Sequence, residues 1–293
     1  MSDKNEDTNQ TELLFKNKFP KTLALAYDQI MKQSLIFCMA HDILTIPLPA
    51  NTSIVSCPSS TGSDTTPVGI RKLNDGQLSY LNDSTQFMLE LLARLTGKGV
   101  FSLTPCYRND LPDKTHLSMF YHAEFEIHGK LEDAMAFAEG YINTIAHRLM
   151  PYLRENKCKT RHIVDIASAS KNEIFKRVTF DEACSIIGDK HVEYSEGFRK
   201  ISRDAERELI KYFDGPVWLM YPDSLGTPFF QAFHENGHSS LAADLLMGQG
   251  ETIGLGQRHT TTQDLERALQ LHGLDSATYQ AYIEMRKHRN LTT

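Results

Sequence analysis

Apolar side chains recur at helical spacing over 21–42, at Leu23, Leu25, Ile30, Leu35, Ile36 and Met39, which predicts an amphipathic helix. Pro47 and Pro49 end the element that follows it. A second helix is predicted over 84–95, with Asp83 or Ser84 as its N-cap and Gly97 and Gly99 closing it. The period then drops from 3.6 to 2. Residues 100–107 read as a strand, 109–115 as a short polar loop, and 118–128 (SMFYHAEFEIH) as a half-buried strand. Together they make a hairpin with a charged tip. A long amphipathic helix is predicted over 132–154, and shorter ones near 179–187 and 200–213. Strands are predicted over 216–221, 229–233 and 240–247, and helices over 263–272 and 276–288, parted by Gly273. Long helices interspersed with paired strands point to an α+β fold with an antiparallel sheet.

Residues 51–67 (NTSIVSCPSSTGSDTTP) concentrate Ser, Thr, Pro and Gly, a loop long enough to carry function. The start, MSDKNEDTNQTE, is polar and acidic, unlike a secretory or transit peptide. Residues 1–19 are expected to be a disordered lead-in to one domain over 20–293, with an insertion over 156–215. Composition adds three exclusions. With 41% apolar and 23% charged side chains in 293 residues, a soluble core needs neither disulfide nor metal. The 31 basic and 37 acidic side chains give −6, and no long basic run offers nucleic acid a general positive face. No apolar stretch reaches the ~18 residues of a membrane-spanning helix, so no membrane association is expected. The five cysteines lack CxxC spacing and fit reduced thiols in a cytoplasmic protein.

Candidate chemistry concentrates in three segments. The hairpin carries Arg108, Asp110, Lys114, His116, Phe120, Tyr121, Glu124 and Glu126. An arginine fork and a basic tip suit phosphates, and an aromatic on the returning strand can stack on a base. The alternative is a solvated tip above an ordinary core aromatic. In 250–259 (GETIGLGQRH), Gly254 and Gly256 allow close backbone approach to a ligand, flanked by Glu251 and Arg258. The alternative is a turn into the helix at 263. Neither GxGxxG nor GxxxxGK[ST] is met. Ser84, Gln86 and Glu90 can orient an amino acid, or simply form a helix cap and first turn. The 12 histidines show no HxH, and the His234/His238 pair, spaced i and i+4 in FHENGH, is broken by Gly237, so no dedicated zinc site is expected. No GxSxG elbow occurs. Cys106 reads as a buried strand residue rather than a nucleophile.

In order, these segments resemble the catalytic core of class II aminoacyl-tRNA synthetases of the aspartate/asparagine subgroup, from about residue 20 onward. STQFMLE (84–90) is similar to the family's SGQLYLE-type segment. CYRNDLPDKTHLSMFYHAEFEIHG (106–129) resembles motif 2, which reads FRAE, a loop, then RHLTEFWMIEPE. Residues 250–288 resemble the GEIIGGSQRE segment and its following helices, and YPDSLGTPFFQAF (221–233) the segment ending in a Pro-Phe-Tyr or Ala-Phe-Tyr strand.

The resemblance implies a class II synthetase-like antiparallel sheet flanked by helices, with ATP and Mg²⁺ as cofactors. It implies that Arg108 binds the α-phosphate, Phe120 stacks on adenine and His116 reaches toward the terminal phosphates. Asp110, one methylene shorter than the family's Glu, would face adenine. Ser84, Gln86 and Glu124 would hold the amino acid, the last two near its ammonium. Gly254 and Gly256 would let the chain lie close to the substrate, with Arg258 at its side-chain end. Glu251 would sit at the ATP–magnesium end. The implied chemistry is in-line attack of a carboxylate on the α-phosphorus, giving an acyl-adenylate and pyrophosphate, with Arg108 and Arg258 as the catalytic cations.

Departures from the family pattern shape the remaining expectations. About 20 residues precede the core, too few for an anticodon-binding OB barrel. The layout is therefore expected to be nearest the stand-alone archaeal-type asparagine synthetase, with aspartate or a related amino acid as substrate and ammonia or a small amine as acceptor, and tRNA not expected. A GxGxxR-type motif 3 is due after RKHRNLTT, where the chain stops at Thr293, and Met119 stands where the family has Glu. Leu89 stands where aspartate-specific members place Lys. A homodimer built around 22–49 is expected. The rival expectations are a non-catalytic paralogue that senses a ligand or partner, and a fragment of a tRNA ligase.

Overall fold

Helix α1, Lys18–Ala40, lies against the long helix α3, Leu131–Glu155. Phe37 of α1 meets Phe137 and Tyr141 of α3 at 5.2 and 5.4 Å, and Ser34 shares a 2.8 Å hydrogen bond with Tyr141. The rest of the predicted apolar stripe stays open, with Leu35, Ile36 and Met39 exposed. The computed structural model describes residues 18–58, 66–71, 76–112, 116–155, 163, 166, 175–195, 197–288 and 292–293. Nearly all of the predicted lead-in, part of the 51–67 loop, the hairpin tip with Lys114, and most of 156–174 lie outside these residues.

Strand β1, Leu44–Thr45, pairs in parallel with β5, Val100–Tyr107, which pairs antiparallel with β6, Met119–Glu126, along its whole length. Between them in sequence come β2 (Asn51–Thr52), β3 (Gly69–Arg71) and β4 (Leu78–Leu81), a small three-stranded sheet. The period of two places Phe101 and Phe125 on the face that packs on α3. The opposite face of β6 presents Phe120, His122, Glu124 and Glu126.

Helix α2, Gln86–Thr96, ends at Gly97, whose φ of 69° is the left-handed conformation that terminates helices. Its start corrects the sequence expectation: the N-cap is Thr85, with no side-chain cap bond. Asp83 instead accepts from the backbone N–H of Ser56 and Cys57, and the Ser84 hydroxyl turns to Glu124. Tertiary partners have taken both candidate caps, and the Glu124 carboxylate accepts the Thr85 N–H in their stead, at 2.8 Å.

A second sheet runs in the order β12 (Gly250–Gly256), β11 (Ala242–Met247), β10 (Val217–Met220), β7 (Lys176–Thr179), antiparallel except for the parallel β10–β7 pair. Val217 and Leu219 face α4 (Phe180–Ile187) and α5 (Arg203–Tyr212), with Ala183, Leu209 and Leu246. Trp218 and Met220 face α3, with Leu131, Met135 and Leu245, and the Trp218 indole donates to Glu139 at 2.7 Å. A strand buried on both faces reads as a continuous apolar run, as VWLM does. Of the expected insertion, 176–212 thus builds β7, α4 and α5 into this core, along with a hairpin of β8 (Val192–Ser195) and β9 (Phe198–Ile201).

Three further expectations change. Residues 229–233 form no strand, only single bridges from Gln231 to Arg258 and from Phe233 to Ser240. Phe229 and Phe230 are consecutive and both buried, which a pleated strand with one wet face does not allow. They fill a core with Leu265 and Leu269 of α6, Thr262–Leu271, and Tyr282 and Ile283 of α7, Gln280–Glu284. Helix α7 is shorter than the predicted 276–288. Residues 250–256, read as a glycine turn, are a strand.

His259 sits in this core, its Nε2 3.1 Å from the Phe229 carbonyl and its ring against Phe233. Burial first, then the Arg286 charge, pushes its pKa down from 6.5 to about 4. Below 6.5 the unfolded chain takes up a proton here that the folded chain refuses until about 4, so stability falls as pH falls through that window. The expected loss, up to roughly 3 kcal/mol, is read as the difference between wild type and His259→Gln in urea unfolding at neutral and acidic pH. An identical pH dependence in the two proteins refutes it.

Candidate active site

The face of β6 that carries Phe120, His122, Glu124 and Glu126 forms one wall of the site. Arg108, just past β5, closes the hairpin by donating its N–H to the Ser118 carbonyl at 2.9 Å. Its guanidinium carbon lies 5.3 Å from the Phe120 ring centroid, and its Nε is buried without a hydrogen-bond partner. Arg108 lowers the proton affinity of Glu251 on one side and of the Cys57 and Cys106 thiols on the other. Asp110 is exposed at the hairpin end and accepts the Thr66 N–H at 3.4 Å, which ties the hairpin to the 51–67 loop. His116 is exposed and close enough to draw down the carboxylates of Glu251 and Glu206.

Glu251 on β12 and Asp244 on β11 converge over Gly254, the cross-strand partner of Asp244. A Cβ at Gly254 would stand 2.9 Å from Glu251 Oε1 and 3.5 Å from Asp244 Oδ1, so glycine here makes room for two carboxylates. Glu206 of α5 accepts the Glu251 N–H at 3.0 Å. Burial, then repulsion from Glu251 and Glu206, raises Asp244 well above its ordinary value; burial, then repulsion from Glu206, raises Glu251, and burial raises Glu206. Hard oxygen donors held at negative potential fit Mg²⁺. The second glycine of the segment, Gly256, serves another end: a Cβ there would lie 2.7 Å from the Gln231 side chain.

The other end of the wall is a polar pocket. Glu124 accepts from the Ser84 hydroxyl and from the Thr85 hydroxyl and N–H. Gln86 donates to Cys57 Sγ at 3.6 Å and accepts from Arg258 at 3.4 Å. Arg258 does not pair with Glu251. It forks onto Glu126, Nη2 to Oε2 at 2.8 Å and Nε to Oε1 at 3.1 Å, and lies over the Phe230 ring. The Arg258 N–H donates to the Thr293 carbonyl at 2.8 Å, and Gly129 donates to that of Thr292, which links the two sheets behind the pocket. Ser84, Gln86, Glu124 and Arg258 therefore come together as one group, and Arg108, His116, Phe120 and Glu251 as another along the same wall. Asp110 stands at its margin.

Residues 10–292 match the family described as tRNA synthetases class II (D, K and N). The chain belongs to this family. It is 32% identical over 218 residues to the asparagine–tRNA ligase of Thermococcus gammatolerans, covering 72% of this chain and 49% of that protein. The asparagine–tRNA ligase of Streptococcus suis is 27% identical over 228 residues, covering 73% of this chain and 50% of that protein. The chain thus spans about half the length of the curated relatives it matches. In fold it is similar to the asparaginyl-tRNA synthetase of Pyrococcus horikoshii complexed with asparaginyl-adenylate, with a TM-score of 0.83 at 21% identity over 96% of this chain and 64% of that one. The Entamoeba histolytica asparaginyl-tRNA synthetase in complex with asparaginyl-adenylate gives 0.77 at 21% identity, over 100% of this chain and 64% of that one.

Glu90, expected with Ser84 and Gln86 to orient an amino acid, is instead buried against Arg94, Arg286 and Tyr282, and several further residues of the site had no role in the sequence analysis. Asp244 and Glu206 complete the carboxylate group. Asp244 breaks the apolar run AADLLM, a signal that was available. Glu90, Arg94, Tyr282 and Arg286 form a buried network behind Arg258. Only Glu90 had a visible cue, a carboxylate among the apolar positions of α2. No helix among the described residues is long and apolar enough to cross a membrane.

Proposed function

We propose that this chain condenses ATP with an amino acid of the asparagine/aspartate type to an acyl-adenylate and passes the acyl group to an amine, with ammonia or a small amine as acceptor. The observation that carries the proposal is the wall itself: an arginine whose buried Nε has no hydrogen-bond partner, with the amino-acid pocket on one side and the acidic group on the other. Arg108 binds and orients the α-phosphate and neutralises charge as the carboxylate attacks. Glu124, oriented by Ser84 and Thr85, anchors the α-amino end. Asp244 and Glu251 would hold Mg²⁺, which when bound neutralises the phosphate oxygens. ATP–pyrophosphate exchange across amino acids, with titration calorimetry of ATP–Mg²⁺, tests this; no ATP binding supports a ligand sensor instead. Hydroxylamine, ammonia and tRNA supplied separately identify the acceptor, and transfer to tRNA alone overturns the amine reading.

The fork of Arg258 on Glu126 bears on the side chain chosen. A donor and an acceptor side by side match an amide, whereas a second carboxylate would face Glu126. Asparagine is therefore favoured over the aspartate expected from the chain's layout. Glu126→Gln removes the repulsion and is expected to raise aspartate use relative to asparagine by ~10-fold or more, as a charged hydrogen bond contributes ~1.5–3 kcal/mol. An unchanged preference in the exchange assay contradicts this.

A second copy of the chain fits the open apolar face of α1, where Met39 is 82% exposed. The double variant Leu35→Glu, Met39→Lys is expected to convert a dimer to a monomer by light scattering. A wild-type monomer refutes the homodimer.

A further inference from the structure

We propose that Cys106, His122 and Glu124 form a metal site of the zinc type, with one coordination position open toward the amino-acid pocket. Cys106 lies on β5 opposite Phe120, and His122 lies opposite Thr104, so thiol and imidazole are diagonal neighbours on one face of the hairpin. Glu124 follows two residues later on that face. One ligand atom from each, the Cys106 sulfur, a His122 ring nitrogen and a Glu124 oxygen, all lie within 4.8 Å of one another. His122 Nδ1 is 3.6 Å from Glu124 Oε1. Tetrahedral bonds of ~2.0–2.3 Å put ligand atoms roughly 3.3–3.8 Å apart, so small adjustments close the set around one ion.

Three features favour an ion over an idle cluster. First, His122 Nδ1 is buried without a hydrogen-bond partner, an orphan that calls for an explanation. Second, the Glu124 carboxylate is held by Ser84 and Thr85, the outer support that a metal-binding carboxylate requires. Third, a Cys106 thiolate and the Glu124 carboxylate would together balance a divalent charge. A thiolate, an imidazole and a carboxylate together select zinc over magnesium.

In the 115–126 segment His122 stands where the family's RHLTEFWMIEPE has Met, so this set belongs to this chain and not to the quoted pattern. It escapes motif searches because its ligands come from two strands. Three protein ligands leave a fourth position for water or for the substrate's neutral α-amino group, whose proton passes to solvent; that last role rests on the adenylation reading.

The untagged full chain, dialysed and examined by inductively coupled plasma mass spectrometry, is expected to retain about one zinc per chain. His122→Met restores the family residue and Cys106→Ser removes the thiolate; each is expected to lose most of that metal. Cobalt(II) added to zinc-stripped wild type should give sulfur-to-cobalt charge-transfer absorption that Cys106→Ser lacks. Circular dichroism confirms that each variant is folded, and His122→Met carries the test if Cys106→Ser is not. Wild type that holds no metal and gives no such absorption overturns the proposal, as does metal kept by His122→Met. Because both readouts are independent of turnover, zinc without pyrophosphate exchange refutes the adenylation reading and leaves the metal site standing.

Discussion

Arg108→Ala is expected to lower ATP–pyrophosphate exchange by roughly a hundredfold. The Arg108 Nε has no protein partner, and its guanidinium is aligned over Phe120 rather than locked to a carboxylate. A fork held in this state is complementary to a phosphate that makes two parallel charge-assisted bonds. Each contributes ~1.5–3 kcal/mol, and every ~1.4 kcal/mol is tenfold in rate or affinity, so loss of both reaches that order. Arg108→Lys keeps the charge and loses the fork, and should fall in between. Melting temperature should move little in either variant. Exchange that survives Arg108→Ala intact would remove the nucleotide from this wall altogether.

Glu90→Ala is expected to be the most destabilising single change in the site region. Glu90 is fully buried, with Arg94 and Arg286 each at 2.9 Å, the Tyr282 hydroxyl at 2.6 Å and Arg258 at 3.8 Å. Burial alone would raise its pKa, but Arg286, Arg258, Tyr282 and Arg94 together hold it below the ordinary value of 4.5. Its contribution is thus present above the ordinary carboxylate range and is lost as pH falls through the lowered value. Removing the carboxylate takes away the acceptor shared by the guanidinium groups of Arg94, Arg286 and Arg258. Breaking such a buried group costs ~3–5 kcal/mol, or roughly 10 °C in melting temperature for a domain of this size. Glu90→Gln keeps the volume and part of the hydrogen bonding and should lose less. Because Arg258 leans on this network, amino-acid binding should weaken in both variants. A melting shift below about 2 °C for Glu90→Ala would show that the arginines find water or other partners.

The sequence by itself determined the parts of this protein whose causes are local. The hairpin of β5 and β6 was legible because its two strands are adjacent and their alternation has one period. Helix α2 ends at Gly97 because the left-handed turn needs a glycine, and 216–221 read as a strand, whose burial on both faces the structure then showed. The ordered motifs were enough to identify the family and to list Ser84, Gln86, Arg108, Phe120, Glu124 and Arg258. Only the tertiary structure decided which of these groups meet. Glu126 and Arg258 are 132 residues apart, Glu90 and Arg286 are 196 apart, and no periodicity reports a contact at that range. It also overruled local preference where long-range partners were stronger. Asp83 and Ser84 left the helix cap for the 51–67 loop and for Glu124, and Phe229 and Phe230 gave up strand alternation to fill a core. Glycines erased the alternating signal of β12 because their role there, at Gly254, is to leave space for the carboxylates of Asp244 and Glu251. A strand pattern records which side of the chain is buried, whereas a site is made by the groups that fold from elsewhere to face it.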